Sequence, residues 1–281
     1  MTAVLLALGA SFGWGCSDFI AGVKTRALPL LSVLLVSQAA GLLLVLGAAF
    51  AWGGALPGME SVAWAVAAGG AELVGFAALY RGLAVGAMCV VAPISATAAV
   101  VPLLVGVVAG ERVGALQSAG IALALAGVAL ASLERIEDGR RSWQMATGLG
   151  LAALAALGFG GFFVAMDRAS DGGVLWAVAL NRWTSLALLV LCAASLRRRV
   201  AVARADRVAV IGVGTLDIAA NVLFAAALTY GVAGPVSVLG SLYPLTTVFL
   251  AFVVLRERVS GPQGLGAASA LAGVGLVAAA T

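Results

Sequence analysis

The sequence predicts an all-α integral membrane protein whose ten transmembrane helices form two inverted five-helix repeats. Three observations lead to this prediction: the composition, a series of long apolar runs with short connections, and a motif that occurs in both halves of the chain. Of the 281 residues, 63% are hydrophobic and 10% are charged. An ordinary soluble domain has roughly half apolar and a quarter charged residues. The composition therefore excludes that class.

Ten apolar runs are the predicted helices. A membrane-spanning helix needs about 20 apolar residues. Backbone amides in lipid must be hydrogen-bonded within the protein, and unbroken apolar runs favour helices over the alternating strands of a barrel. In chain order the runs are approximately Thr2 to Val23, Leu30 to Trp52, Ser61 to Tyr80, Gly86 to Ala109, Gly114 to Leu133, Thr147 to Met166, Gly173 to Leu196, Arg207 to Tyr230, Ala233 to Leu255 and Pro262 to Ala280.

The longest polar interval divides the chain near its middle. It covers residues 134–146 and holds Glu134, Arg135, Glu137, Asp138, Arg140 and Arg141. We therefore expect a first five-helix repeat over residues 2–133, a polar linker over 134–146 and a second five-helix repeat over 147–280.

The last helix of each half is preceded by the same polar motif. Chance matches are frequent among Ala, Gly and Leu, so the charged and amide positions are the informative ones. A shift of 146 residues superimposes Glu111-Arg112-Val113 on Glu257-Arg258-Val259, Gln117 on Gln263 and Gly120 on Gly266. Because five is odd, the second copy enters the membrane from the opposite face. Such inverted repeats are typical of secondary transporters, which hold substrate near the midplane between the halves.

Three charged residues lie deep inside predicted helices. Glu72 is about twelve residues into the third run, Arg182 about ten into the seventh and Asp217 about eleven into the eighth. A charge at the bilayer centre costs about 2.5 to 3.5 kcal/mol on insertion scales, so each needs a partner or a wet cavity. Glu72 and Asp217 are 145 residues apart, one residue off the 146-residue register of the repeated motif. The two acids therefore occupy equivalent places in the two repeats, on opposite walls of one expected cavity.

Two interpretations of these charges are open. In the first, Arg182 neutralises one acid as a structural pair and the other acid faces water in a vestibule. In the second, at least one acid contacts substrate or carries a proton. Asn181 and Asn221 either orient a polar substrate or join helices through hydrogen bonds.

Aromatic residues near the predicted cavity are of two kinds. Trp and Tyr are enriched at membrane interfaces, and Tyr80, at the end of a run, is expected in such a belt. Trp14 and Tyr243 fall deeper and are candidates for the pocket wall. Asp18, near the end of the first run, is expected to face water or to meet Lys24.

Four prolines lie in the fourth and ninth runs, which are equivalent in the two repeats. They are Pro93, Pro102, Pro235 and Pro244. Proline removes a backbone donor and weakens its helical turn. We expect these two helices to bend and to line the substrate path.

Several of these motifs resemble a known family. Pro244 stands thirteen residues before Glu257, the first run contains Trp14-Gly15, and a Gln-x-x-Gly and Ala-Gly-Val helix closes each half. Together they resemble the EamA-type members of the drug/metabolite transporter superfamily, over nearly the whole chain. One departure is Ala98, which stands where the first half would match Pro244. The resemblance implies export, or less often uptake, of small metabolites such as amino acids, nucleobases or cationic drugs.

The sequence gives little support for metal binding, disulfide bonds or nucleotide binding. There is no His, which removes the commonest metal ligand and the usual general base. Cys16, Cys89 and Cys192 are far apart inside apolar runs and suggest neither a disulfide framework nor a metal cluster. The glycine-rich stretch at 158–161 follows no strand and carries no P-loop lysine. We therefore expect no catalytic residue, no metal and no cofactor.

The expected partners follow from this composition. They are a small-molecule substrate and the lipid bilayer, with a proton as a candidate coupling ion. Nucleic acid is not expected, because the arginines lie between the apolar runs and not in one basic surface. The oligomeric state is left open. The competing classes are an integral-membrane lipid-processing enzyme and a non-transporting scaffold; the first would carry clustered metal ligands or a nucleophile with its base.

Basic residues are distributed unevenly between the runs. Of the 16 Lys and Arg residues, all but Arg112, Arg168 and Arg182 lie in the intervals after the odd-numbered runs. Positive residues concentrate on the cytoplasmic side of membrane proteins. The sequence thus predicts a multi-pass protein of the cell inner (plasma) membrane with both termini outside, and residues 197–199 near anionic headgroups.

This orientation is testable with reporters fused after Thr281. Alkaline phosphatase, which is active outside the cytoplasm, is expected to be active there, and green fluorescent protein exported through the general secretory route is expected to be dark. The opposite pattern would contradict the orientation and would mean that the helix count is wrong by one.

Overall fold

The computed structural model describes residues 1–52, 56–86, 88–108, 114–131, 139–197, 201–231, 233–256 and 261–279. Every regular element within these ranges is helical. The helices are α1 (Thr2–Thr25), α2 (Leu30–Trp52), α3 (Met59–Val85), α4 (Met88–Ser95), α5 (Val100–Val108), α6 (Ala115–Ala131), α7 (Gly139–Ser170), α8 (Val174–Ser195), α9 (Arg204–Tyr230), α10 (Ala233–Gly240), α11 (Tyr243–Leu250) and α12 (Gly261–Ala279).

The predicted all-helical membrane class is confirmed. Seven helical stretches of the described chain are long and apolar enough to cross a membrane: Thr2–Thr25, Leu30–Ala51, Met59–Val85, Thr147–Ser170, Val174–Ser195, Arg204–Tyr230 and Val236–Leu255. Ala96–Gly106 and Gly264–Gly273 are shorter apolar helices. The count of ten membrane crossings and their division into two inverted repeats stay predictions.

Part of the predicted linker and the repeated charged motifs lie outside the described residues. Residues 134–138 of the expected linker lie outside them, and the rest of that linker is the first part of α7, which begins at Gly139. The charged motifs at 111–113 and 257–259 also lie outside the described residues.

The fourth and ninth runs are interrupted helices. A 3₁₀ turn at Ala96–Ala99 separates α4 from α5, and a turn after Gly240 separates α10 from α11, which has Pro244 in its first turn. A π-helical turn, Ala251–Leu255, follows α11. Pro244 has no backbone N–H to offer the carbonyl of Gly240, so the α-helical ladder cannot run through this point.

Helices of the first half pack on helices of the second half. The most extensive contacts join α3 to α7, α1 to α9 and α6 to α12, and a further contact joins α2 to α8. If the first repeat is exchanged with the second, the α1–α9 pair becomes the α7–α3 pair, and the other two pairs map onto themselves. This is the pairing that an inverted repeat would produce.

Contacts between helix ends show which ends lie together. The Nζ of Lys24, at the end of α1, is 2.7 Å from Oδ1 of Asp206, at the start of α9. The backbone N–H of Ala201 donates to Oγ of Ser32, near the start of α2, at 3.3 Å. The end of α1 and the starts of α2 and α9 therefore meet at one end of the bundle.

Glycine allows α3 and α7 to approach closely. A Cβ added at Gly158 would lie 2.6 Å from the backbone nitrogen of Gly75 and 2.8 Å from the carbonyl oxygen of Ala71. Without water to drive helices together, small residues that let backbones meet are a main source of packing energy in membranes. The α3–α7 contact thus depends on the missing side chain of Gly158.

A pair of glycine variants on α7 tests this contact. Gly158→Ala is expected to lower the free energy of unfolding by about 1 to 3 kcal/mol, because both neighbouring atoms belong to backbone that cannot turn away. Gly150→Ala is the matched control, since no atom lies within 4 Å of the added Cβ. Denaturant unfolding in detergent micelles measures both. Equal stability of the two variants would contradict the close contact.

Candidate functional site

A buried guanidinium joins four helices at the centre of the bundle. Arg182, on α8, is only 1% exposed. Its Nη2 donates to Oδ2 of Asp217 on α9 at 2.5 Å and lies 3.6 Å from Oε1 of Glu72 on α3. Its Nη1 donates to Oε1 of Gln38 on α2. One side chain thus contacts polar groups from both halves of the chain.

Small residues create the space for this guanidinium. A Cβ at Gly41, on α2, would lie 3.1 Å from the carbonyl oxygen of Gly214 and 3.8 Å from Nε of Arg182. On the other side, Ser185 Oγ donates to the carbonyl oxygen of Gly69 at 2.8 Å and joins α8 to α3. Close packing at these glycines brings the polar side chains of α2, α3, α8 and α9 within reach of each other.

A second hydrogen-bonded chain runs through Asn221, one turn after Asp217 on α9. The indole Nε1 of Trp14 on α1 donates to Asn221 Oδ1 at 2.7 Å. The amide Nδ2 of Asn221 donates to Oε1 of Glu72 at 2.7 Å. Because an indole N–H can only donate, it fixes the amide orientation so that the NH₂ group faces the carboxylate. Trp14 and Glu72 are therefore linked across three helices.

Acidic groups outnumber basic groups in this region. Glu72, Asp217 and Asp18 are all buried, and the structure places one guanidinium among them. Asp18 lies within electrostatic range of Asp217. One oxygen of Glu72 and one of Asp217 have no hydrogen-bond partner within the described residues. An uncompensated buried negative charge is costly, so a proton or a cation is needed to balance this group.

An aromatic cavity adjoins the acids. The gaps between its lining atoms total about 310 Å³, open solvent included. Its wall is formed by Trp14, Asp18, Glu72, Phe76, Phe159, Phe162, Phe163, Asn221 and Tyr243. The hydroxyl of Tyr243, at the start of α11, is 2.5 Å from Ser95 Oγ at the end of α4, so the two interrupted helices meet beside the cavity.

Most of the predicted site residues lie together. Glu72, Arg182, Asp217, Asn221 and Trp14 form one hydrogen-bonded and ion-paired group.

The remaining predicted site residues lie outside this hydrogen-bonded group. Tyr243 is on the cavity wall. Asn181 is buried next to Arg182, and neither amide atom has a hydrogen bond of good geometry within the described part of the chain. Of the prolines, Pro244 is buried and Pro102 half-buried, and the side chains of Pro93 and Pro235 are outside the described residues. The functional role of all these residues stays a prediction.

Two expectations about single residues are wrong. Asp18 neither faces water nor meets Lys24: it is 4% exposed and lines the cavity, while Lys24 pairs with Asp206. Tyr80 is not in an interface belt, since it is 2% exposed and its ring packs 5.3 Å from that of Phe76. Both residues stand near the end of an apolar run, and helix packing, not position in the run, decides their burial.

Some residues of the site were not singled out in the sequence. Gln38 is one, although an amide in the middle of an apolar run is a visible signal of a buried polar contact. Asp18 was named but not assigned to the cavity, although it follows Trp14 by four residues and shares its helix face. The four cavity phenylalanines carry no such signal, since any apolar helix face has similar residues.

Comparison with known protein families gives one match. The model of the EamA-like transporter family matches residues 146–279. The second half of this chain is EamA-like. The resemblance inferred from the sequence is thereby confirmed over residues 146–279, and the apolar helices together with this match support a multi-pass membrane protein.

Solved structures share the fold of this chain. One of them, described as a crystal structure of a protein, aligns with a TM-score of 0.69 at 19% sequence identity and covers 98% of this chain and 96% of its own. At this identity the likeness concerns the fold alone. No curated protein matches the sequence.

Charge removal at Arg182 is expected to be more damaging than charge removal at its partner. Arg182→Gln leaves the buried acids without a counter-charge, and we expect a loss of about 3 to 5 kcal/mol in the free energy of unfolding. Asp217→Asn leaves Arg182 beside Glu72 and should cost less. Thermal and denaturant unfolding in detergent measure both. If Arg182→Gln were as stable as the wild type, the guanidinium would not be the central contact.

Proposed function

We propose that this chain is a secondary active transporter that exports small polar or cationic metabolites, such as amino acids, and couples their movement to protons. In this proposal two inverted five-helix repeats alternate around a cavity near the membrane midplane. The observation that carries the proposal is the group of three buried acids and one guanidinium beside an aromatic cavity. Ionisable residues at such depth mark substrate or ion pathways.

The pairing of helices supports the alternating part of the proposal. Helices of the two halves pair as an exchange of two repeats would require, and Glu72 and Asp217 are 145 residues apart, close to the 146-residue shift of the repeated motif. The direction of transport rests on the family resemblance, which implies export more often than uptake.

The geometry of Arg182 suggests how the two states differ. The guanidinium is 2.5 Å from Asp217 and 3.6 Å from Glu72, so the equivalent acids are unequally paired. Exchange of the two repeats would exchange these partners. An acid whose cationic partner moves away gains affinity for a proton or for another cation. Partner exchange at Arg182 thus links the orientation of the cavity to the binding of positive charge.

The expected orientation also enters the proposal. The contacts of Lys24 with Asp206 and of Ala201 with Ser32 bring together connections that carry many of the basic residues. With positive residues inside, this end of the bundle is cytoplasmic and the protein belongs to the inner (plasma) membrane.

Neutral variants of the two acids test the proposal. Glu72→Gln and Asp217→Asn keep size and hydrogen-bonding capacity while they remove charge. Each is expected to lower efflux of radiolabelled amino acids from proteoliposomes about tenfold or more, since contacts to a charged group contribute about 1.5 to 3 kcal/mol. The pH dependence of efflux between about pH 5 and pH 8 should flatten as well, because a proton-carrying group is lost.

A matched control is Asp171→Asn, which removes an exposed acid in the turn after α7. It should transport like the wild type. If both cavity variants are well folded and transport at wild-type rates over that pH range, while Arg182→Gln unfolds, the acids are only structural partners of Arg182. No flux in the wild type would instead favour a lipid-processing enzyme or a scaffold.

A further inference from the structure

A groove between α2 and α8 opens on the outside of the bundle. Its lining is apolar except at one end. The residues from α2 are Leu35, Val36 and Ala39, and α8 contributes two alanines and a stripe that runs from Leu186 through Val190 to Arg197. Leu35 is 8% exposed, whereas Val190 is 51% exposed. The groove is therefore open on one side to the medium that surrounds the helices.

The groove is as long as one leaflet of a membrane. Leu186 lies near the middle of α8, and Arg197 follows the end of that helix. Arg197 comes eleven residues after Leu186, which is a rise of about 16 Å in a helix. Half of the hydrocarbon core of a bilayer is about 15 Å thick. The groove thus extends from the midplane to the level of the headgroups, at the end of the bundle where Ala201 contacts Ser32.

Beyond Leu186, side-chain contacts join α2 to α8. Near the midplane, Arg182 of α8 donates to Gln38 of α2. Towards the far end of the two helices, the ring of Phe50 packs 5.5 Å from that of Trp176. A membrane-spanning helix of a second copy would need a contact surface along both leaflets, whereas an acyl chain occupies only one. The length of the groove therefore fits a lipid chain better than a partner helix.

Arg197 places a positive charge at the headgroup end of the groove. Its side chain is exposed and has neither an ion pair nor a hydrogen bond within the described part of the chain. Among the described residues that line the groove, none is acidic. The φ of Arg197 is 48°, a left-handed conformation that glycine adopts at less cost, so the backbone gives no reason for an arginine here. The group that complements this end of the groove is an anion.

We propose that the groove binds one anionic phospholipid, whose acyl chain lies between α2 and α8 and whose phosphate contacts Arg197. A zwitterionic lipid has the same phosphate but brings a positive group towards Arg197 and towards Arg198 and Arg199, which follow it in the sequence. General attraction to headgroups would act on every basic residue at this end of the bundle. The groove adds a place for the acyl chain and thereby selects Arg197. This site goes beyond the transport function and does not rest on it.

Native mass spectrometry of the purified full chain tests the charge. The probes are dioleoylphosphatidylglycerol and dioleoylphosphatidylcholine, which have the same acyl chains and are supplied in equal amounts. One phosphatidylglycerol is expected to be retained about fivefold more than phosphatidylcholine, since a basic residue near the membrane surface contributes about this factor. Arg197→Gln should remove the preference. Arg81→Gln is the matched control, because Arg81 is an exposed arginine predicted on the same side of the membrane and does not line the groove.

Equal retention of the two lipids by the wild type would overturn the proposal. Equal losses in Arg197→Gln and Arg81→Gln would also overturn it, because they would show a general attraction and no specific site. A protein dimer retained in place of the lipid would assign the groove to a second copy of the chain.

A second pair of variants tests the groove itself. Ala193→Phe fills the groove and should lower retention of phosphatidylglycerol by a factor similar to that of Arg197→Gln, because the displaced acyl chain no longer holds the phosphate at Arg197. Cys192→Phe adds a ring at the neighbouring exposed position, which does not line the groove, and should match the wild type. Undiminished retention by Ala193→Phe would overturn the position of the acyl chain.

The wild type provides a test that does not depend on the folding of a variant. Phosphatidylglycerol with a diazirine on its acyl chain is mixed into phosphatidylcholine vesicles that contain the protein, and peptide mass spectrometry maps the crosslinks after irradiation. Crosslinks are expected within residues 35–39 and 186–194, and unlabelled phosphatidylglycerol should compete about fivefold better than phosphatidylcholine. Crosslinks spread evenly over the exposed helix faces, or equal competition, would overturn the site. Since efflux enters none of these measurements, the lipid site and the transport proposal can fail separately.

Discussion

The burial of one positive charge in a helical bundle constrains everything around it. Arg182 is almost fully enclosed, and a guanidinium in that position is stable only if carboxylates and amides surround it. Its partners come from α2, α3 and α9, so those helices must approach α8 closely and in a fixed register. The glycines at these contacts, and the polar residues in otherwise apolar helices, follow from this requirement.

The same arrangement gives the bundle two kinds of surface at its centre. On one side, polar groups satisfy each other, as in the chain from Trp14 through Asn221 to Glu72. On the other side, aromatic rings and Asp18 enclose space that the protein does not fill. The first side holds helices from both halves together, and the second is a cavity lined by an acidic residue.

Much of the site could be predicted because charged residues are conspicuous in apolar runs. The depth of Glu72, Arg182 and Asp217 follows from run length alone, and the repeat register indicates that the two acids lie on facing helices. The distances between these residues, and the unequal pairing of Arg182 with the two acids, depend on how the helices pack, which cannot be predicted from the lengths of the apolar runs. Tyr80 shows the same limit. A residue at the end of a run can face lipid headgroups or a neighbouring helix, and the position of that helix determines which of the two it faces.

The hydrogen bond between Ser95 and Tyr243 is a weak link between the two halves of the chain. It joins α4 to α11, the interrupted helices of the two halves, next to the cavity. A neutral hydrogen bond contributes about 1 kcal/mol net, which favours the joined state about fivefold. This hydrogen bond alone is therefore a weak restraint on movement of α4 relative to α11.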